Sequence, residues 1–301
     1  MTKTTTTLSG TAFLTLMLIA AMMGANHVAA RTAFNHGVNV ATAVTMRSTV
    51  TAVVVAILLF WQDASWRTSA REKKYLGLIG VLVAAQSICL YSAVGRLPVA
   101  LALLVFNTYP LSTALWARVL YAQRTPKPVL IAMPMLLFGL ALALDVTGAT
   151  SALGAAAHWR DIGAGVAFGL GASLTFGLAL VWTQQETSGL DGRLRTFTTM
   201  SQVGLIAGAI ALSTGGFEWP DAAAGWWGLT LLTLLYGTAF TLMFTVLPKL
   251  GVVGNSALMN VEPVFALVLA WLLLDQHIAP VQVGGALVVV VTVVVLGLCK
   301  K

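Results

Sequence analysis

Two short motifs carry most of the chemistry this chain can do: Asn107-Thr108-Tyr109-Pro110 and Asn260-Val261-Glu262-Pro263. Each lies inside an apolar run long enough to cross a bilayer. A carboxylate at that depth costs about 2.5 kcal/mol or more on insertion scales, so Glu262 needs a reason to be there. One role is to carry a proton or anchor a substrate ammonium; the other is to pin the helix break as a hydrogen-bonded structural acid. Each proline strips a carbonyl four residues earlier, Phe106 or Met259, of its donor. Each asparagine stands one turn before its proline, where it can satisfy freed backbone groups or face a ligand. Two breaks at matching depths, Pro110 and Pro263, point to a site near the membrane midplane.

A second set of polar residues lies in other apolar runs. Arg47 is a guanidinium within the second run. It must face a wet cavity, find a partner or snorkel to the outer surface; in a cavity it serves as a carboxylate clamp through its bidentate fork. Asn26 and His27 occupy the outer third of the first run, at a depth nearer to Arg47 than to Glu262. No Cys, Asp or second His stands at ligand spacing from His27, so no metal site is expected. Gln86, Tyr91, Thr175, Trp182, Tyr236 and Thr241 complete the candidate cavity lining. Their amides and hydroxyls can bind polar groups, and their rings can stack on an aromatic or aliphatic solute.

The elements that must position these groups follow from composition. Charged residues are 9% of the chain and apolar ones 58%, with mean hydropathy +0.89, whereas a soluble domain carries about 25% charge. Ten apolar segments of bilayer length predict helices over about 10–30, 40–61, 74–94, 98–119, 128–147, 161–183, 196–214, 224–247, 254–274 and 279–298. The class is an all-α polytopic membrane protein. Although Lys3 and the apolar stretch up to Val28-Ala29-Ala30 resemble a signal peptide, the first segment has its own partner in the repeat described next.

Shifted by 153 residues, the two halves register without gaps: Gly10 on Gly163, Gly24 on Gly177, Ser48 on Ser201, Tyr91 on Phe244, Asn107 on Asn260 and Pro110 on Pro263. Residues 1–150 and 151–301 then form two five-helix repeats. Because five is odd, the second copy crosses the membrane in the opposite sense, an inverted repeat of the kind alternating-access transporters use. Ten spans place both termini on one side. That side carries thirteen of the seventeen Lys and Arg, and the other side has only Arg31, Arg96 and Arg160. The positive-inside rule makes it cytoplasmic. The net charge of +7 therefore reports orientation and contact with anionic lipid, not nucleic-acid binding. Gly165, Gly169, Ser173 and Gly177 form a small-residue ridge that permits close helix approach, as do Gly204 and Gly208. Cys89 and Cys299 imply no disulfide framework.

Val261-Glu262-Pro263-Val264-Phe265-Ala266-Leu267-Val268-Leu269-Ala270-Trp271-Leu272-Leu273-Leu274 resembles the signature of the drug/metabolite transporter superfamily, in its ten-helix EamA-type branch. Tyr109-Pro110-Leu111-Ser112-Thr113-Ala114-Leu115 matches the same pattern in the first half, and Gly24-Ala25-Asn26 matches it in the first span. The likeness covers essentially the whole chain. It implies two five-helix repeats around a central cavity that passes small solutes, and the chain as a whole is most similar to the bacterial aromatic amino-acid exporters of this branch. One departure stands out: Tyr109 sits where symmetry would place a second acid. The first span also carries no acid, unlike the related four-helix multidrug antiporters.

The expected function is an inner-membrane secondary transporter that exports small amphipathic metabolites, chiefly aromatic or neutral amino acids, and works as a monomer in lipid. The alternative is proton-coupled drug or cation efflux through Glu262. No cofactor is implied. Walker, dinucleotide, serine-elbow and zinc motifs are missing from the sequence, and only Glu262 and Arg47 are charged deep in the membrane, which argues against an enzyme.

Overall fold

The structure is a computed structural model that describes residues 10–61, 68–124, 127–145, 155–245, 261–276 and 279–298. It is all helical: α1 (Gly10–Phe34), α2 (Val40–Trp61), α3 (Ala70–Arg96), α4 (Val99–Phe106), α5 (Tyr109–Tyr121), α6 (Lys127–Ala143), α7 (Ala155–Glu186), α8 (Gly192–Ser213), α9 (Ala223–Thr245), α10 (Glu262–Leu274) and α11 (Pro280–Leu298). Because α4 and α5 are the halves of one broken helix, the eleven segments make ten helices. Among the described residues six spans are long and apolar enough to cross a membrane, the broken Val99–Tyr121 pair included. Glu262–Leu274 is apolar but shorter. The remainder predicted for its span, 254–260 with Asn260, lies outside the described residues.

Packing repeats the sequence symmetry. The chief partners are α3 with α7, α2 with α8, α1 with α9 and α6 with α11. Exchanging the halves turns α3·α7 into α9·α1, α3·α8 into α9·α2 and α5·α7 into α10·α1, all of which occur, and maps α2·α8 and α6·α11 onto themselves. The bundle is thus two-fold symmetric in its contacts, with the axis passing between α2 and α8. These two run antiparallel: a Cβ built at Gly204 meets the Thr49 hydroxyl at 2.9 Å, and one at Gly208, a turn on, meets Thr45 at 3.7 Å, a turn back.

The symmetry extends to single residues. A Cβ at Gly24 would lie 2.9 Å from the Ala266 nitrogen and 3.1 Å from the Phe265 Cβ; at the paired Gly177 it would lie 2.8 Å from the Thr113 nitrogen and 2.7 Å from the Ser112 Cβ. Both glycines are needed because backbone approaches backbone there. The residues before the two half-helices, Thr108 (φ −73°, ψ −4°) and Val261 (φ −80°, ψ −1°), share one conformation. So do the left-handed residues that end them, Ala122 (φ 51°, ψ 24°) and Asp275 (φ 51°, ψ 31°), which donate their N–H to the Ala117 and Ala270 carbonyls. Pro110 and Pro263 sit in the first turn of these helices. A missing N–H costs nothing in that position, so the prolines start helices rather than kink them.

Candidate substrate site

The path of polar groups through the bundle begins at the start of α10. Glu262 is in its first turn, where the helix dipole favours a carboxylate. Its Oε1 lies 3.1 Å from Nε2 of His27 on α1, with the two side chains 23% and 4% exposed. The His27 ring stands 5.5 Å from the Tyr91 ring of α3, and the Tyr91 hydroxyl donates to Asn26 Oδ1 at 3.1 Å. On its other flank Tyr91 meets Arg47 of α2. The guanidinium lies 4.7 Å from the Tyr91 centroid and 3.9 Å from that of Tyr236 on α9, and it donates to Ser87 Oγ at 2.8 Å. Ser87 in turn donates to Gln86 Oε1 at 3.4 Å. The Tyr236 hydroxyl reaches the sulfur of Met200 on α8 at 3.8 Å.

Five helices thus bring Asn26, His27, Arg47, Gln86, Tyr91, Tyr236 and Glu262 into one cluster. Snorkelling, one of the two roles open to Arg47, is not what the structure shows: Arg47 is 2% exposed and lies between two tyrosine rings. Cation–π contact there is worth about 2 kcal/mol or more when desolvated, which removes the need to reach the surface. Three buried polar atoms of this cluster find no hydrogen-bond partner: Asn26 Nδ2, His27 Nδ1 and Arg47 Nε. Each orphan costs about 1–3 kcal/mol, so the cluster has unused binding capacity.

The remaining candidates lie elsewhere. Asn107 Nδ2 donates to the Leu103 carbonyl at 2.8 Å, which the Asn107 backbone N–H also reaches, and not to the Phe106 carbonyl that Pro110 leaves without a donor. Tyr109 joins an aromatic trio with Phe106 at 5.6 Å and Phe176 at 5.1 Å. Thr175 and Thr241 donate back to their own helices, at Gly171 and Gly237. Trp182 packs edge-on against Tyr75 at 5.7 Å. Beside the α4–α5 break a hydroxyl trio holds α7: Ser173 lies 2.9 Å from both Thr108 and Ser112. Sequence reasoning missed Ser87 and this trio. The only signal for Ser87 was its adjacency to Gln86, and for the trio the alignment of hydroxyls along facing helices.

A central cavity lined by the candidates was the expectation. Among the described residues they instead form a closed core, because the Tyr91 and Tyr236 rings fill the space around Arg47. A pocket of about 290 Å³ opens instead at the end of the bundle where α3 and α8 begin, between those two helices, lined by Thr68, Lys73, Leu76, Gly77, Leu194, Thr198 and Gln202. The far side is tied shut. There Asp221 N–H donates to the His36 carbonyl at 3.1 Å, Asn39 Nδ2 to the Gly216 carbonyl at 3.3 Å and Glu218 N–H to Thr42 Oγ1 at 3.1 Å. Trp219 and Trp226 stack beside these loops at 6.0 Å. No group of three His, Cys, Asp or Glu able to hold a metal occurs among the described residues.

A ten-helix bundle of two like halves, with the His27–Glu262 contact where they meet, has the architecture of a multi-pass membrane protein, and the family match makes it a transporter, not an enzyme. The chain belongs to the EamA-like transporter family, whose pattern matches it twice, over residues 10–144 and 163–298. Those two matches begin 153 residues apart, the interval of the internal repeat. No curated protein is similar enough to match. One crystal structure of a protein superposes with a TM-score of 0.63 at 14% identity, covering 98% of this chain and 100% of that one. That likeness concerns the fold alone.

Proposed function

We propose that this protein exports small amphipathic metabolites, chiefly aromatic and neutral amino acids, from the cytoplasm of a bacterium by alternating access. The observation that carries this reading is the order of groups in the cluster: a carboxylate, an aromatic ring, then a guanidinium. Glu262 accepts an ammonium, Arg47 clamps a carboxylate, and the Tyr91 and Tyr236 rings pack against the substrate side chain. The orphaned Asn26 Nδ2 and Arg47 Nε are donors such a substrate would satisfy. A single buried guanidinium is too little positive charge for a nucleotide sugar or other polyanion. With the positive-inside rule placing the termini in the cytoplasm, the pocket between α3 and α8 is the cytoplasmic approach. The resemblance to aromatic amino-acid exporters supports the direction, and the helix starts at Pro110 and Pro263 supply the hinges.

The test is uptake of a labelled amino-acid panel into proteoliposomes of the purified chain. Phenylalanine, tyrosine and tryptophan are expected to compete with one another. Flux that no amino acid competes for would remove this substrate class.

A further inference from the structure

Glu262 already has a partner, and that partner is a ring able to bind a proton. His27 Nε2 faces the carboxylate at 3.1 Å, while Nδ1 is buried with nothing to bond. A ring fixed only by packing and one hydrogen bond would satisfy both nitrogens if it were structural; this one keeps a nitrogen spare. We propose that His27 holds the place on Glu262 that an ammonium-bearing substrate takes, so that each transport cycle exchanges one proton for one such substrate. The proposal rests on reading Glu262 as the ammonium acceptor.

Charge at this depth makes the two occupants exclude each other. The titratable and charged groups facing the pair are Tyr91 of α3, Arg47 of α2, Tyr236 of α9 and Tyr109 of α5; on α1 itself Arg31 is turned away, donating to the Val94 carbonyl at 2.7 Å. Arg47 and Glu262 balance. One added cation, either imidazolium or ammonium, leaves a single excess charge, and both together leave two in a medium of low dielectric.

The exchange balances as follows. With the site open to one side, the substrate ammonium pairs with Glu262, and the imidazolium proton of His27 passes to water on that side. After the site reopens on the other side, the substrate leaves and His27 takes one proton from water there. An amine carrying one positive charge then exchanges without net charge movement. A zwitterion, whose carboxylate rests on Arg47, moves one positive charge per cycle against its own direction.

Proteoliposomes of the full chain, loaded with a pH-sensitive dye, test this with three probes: phenethylamine, phenylalanine and 3-phenylpropionate. Entry of either ammonium-bearing probe is expected to raise the internal pH with about one proton leaving per molecule, while 3-phenylpropionate does nothing. Inside-negative potential speeds phenylalanine release from the lumen and leaves phenethylamine exchange unchanged. In His27→Gln the amide still donates to Glu262 but binds no proton, so the proton-to-substrate ratio falls at least about tenfold. His27→Asn serves if that variant does not fold. Phenylalanine entering wild-type vesicles with no pH change, or a His27→Gln ratio near one, overturns the exchange and leaves the amino-acid reading standing. A response to phenethylamine that exceeds that of protein-free vesicles and is lost in His27→Gln, with none to phenylalanine, supports the exchange and overturns the amino-acid reading. No entry of any probe through a folded, monodisperse protein overturns both.

Discussion

The junction of α1 with α10 and that of α7 with α5 share one backbone and differ in every polar group. Gly24 and Gly177 make the same close approach, and the half-helices they meet begin and end with the same dihedral angles. Yet the 153-residue shift turns Asn26 into Ala179, His27 into Leu180, Glu262 into Tyr109 and Arg47 into Met200. The first junction is ionic and carries orphaned donors. The second is sealed by the Phe106, Tyr109 and Phe176 rings and by the Ser173 hydroxyl trio. Duplication thus left two equivalent junctions, and only one of them carries the His, Glu and Arg side chains. Symmetry of backbone does not require symmetry of function.

That contrast can be broken by exchange of residues. The largest effect is expected from Glu262→Gln, which removes the only acid of the cluster; transport should fall at least about a hundredfold if the carboxylate holds an ammonium. Tyr109→Phe at the matching place should cost no more than about threefold. Proteoliposome uptake decides between them, and equal losses would erase the distinction. Next come Gly24→Val and Gly177→Val. Each drives a side chain into backbone, so each should destabilise by about 1–3 kcal/mol, read as similar drops in melting temperature in detergent. Similar losses would bear out the shared geometry, whereas a drop at one junction alone would mark the other as loosely packed.

Ser173→Ala sharpens the comparison from the apolar side. It strands the Ser112 hydroxyl, while Thr108 keeps the Val105 carbonyl at 2.7 Å, and should cost about 1 kcal/mol, with transport little changed. The smallest effect lies outside both junctions. Asp191 caps α8 by accepting from the Arg193 N–H at 2.8 Å, and the Arg193 side chain holds its carboxyl below the usual aspartate range. That stabilisation is present above the unfolded-state value of about 3.9 and disappears as pH falls through the lower folded value. Asp191→Ala should lose about 1 kcal/mol near neutral pH and nothing in strong acid, seen in melts from pH 6 down to pH 2.

Much of the fold was legible because apolar length and the Asn-x-x-Pro spacing are local signals. The ends of α2 agree with those expected, and the interval of 153 residues recurs in the contacts. The site was legible as a set of residue types but not as an arrangement. Nothing in the sequence pairs His27 with Glu262, 235 positions apart, since which helix faces meet depends on how five helices rotate about their axes. Arg47 was ambiguous for a related reason: a guanidinium seven residues inside a helix can reach the surface, and only the tyrosines of α3 and α9 show why it does not. Trp182 and Thr175 have the chemistry of cavity residues, but their helix turns them to Tyr75 and to its own carbonyls.

The length of α7 has a separate consequence. Its 32 residues rise about 48 Å, against a hydrocarbon layer of about 30 Å. Upright, it must stand clear of the lipid like a mooring post. At its C-terminal end Glu186 accepts from Arg71 at 2.8 Å and from the Tyr121 hydroxyl at 2.6 Å, lashing three helices together. The bundle is therefore braced at the end of its longest helix, where α7 is tied to both α3 and α5.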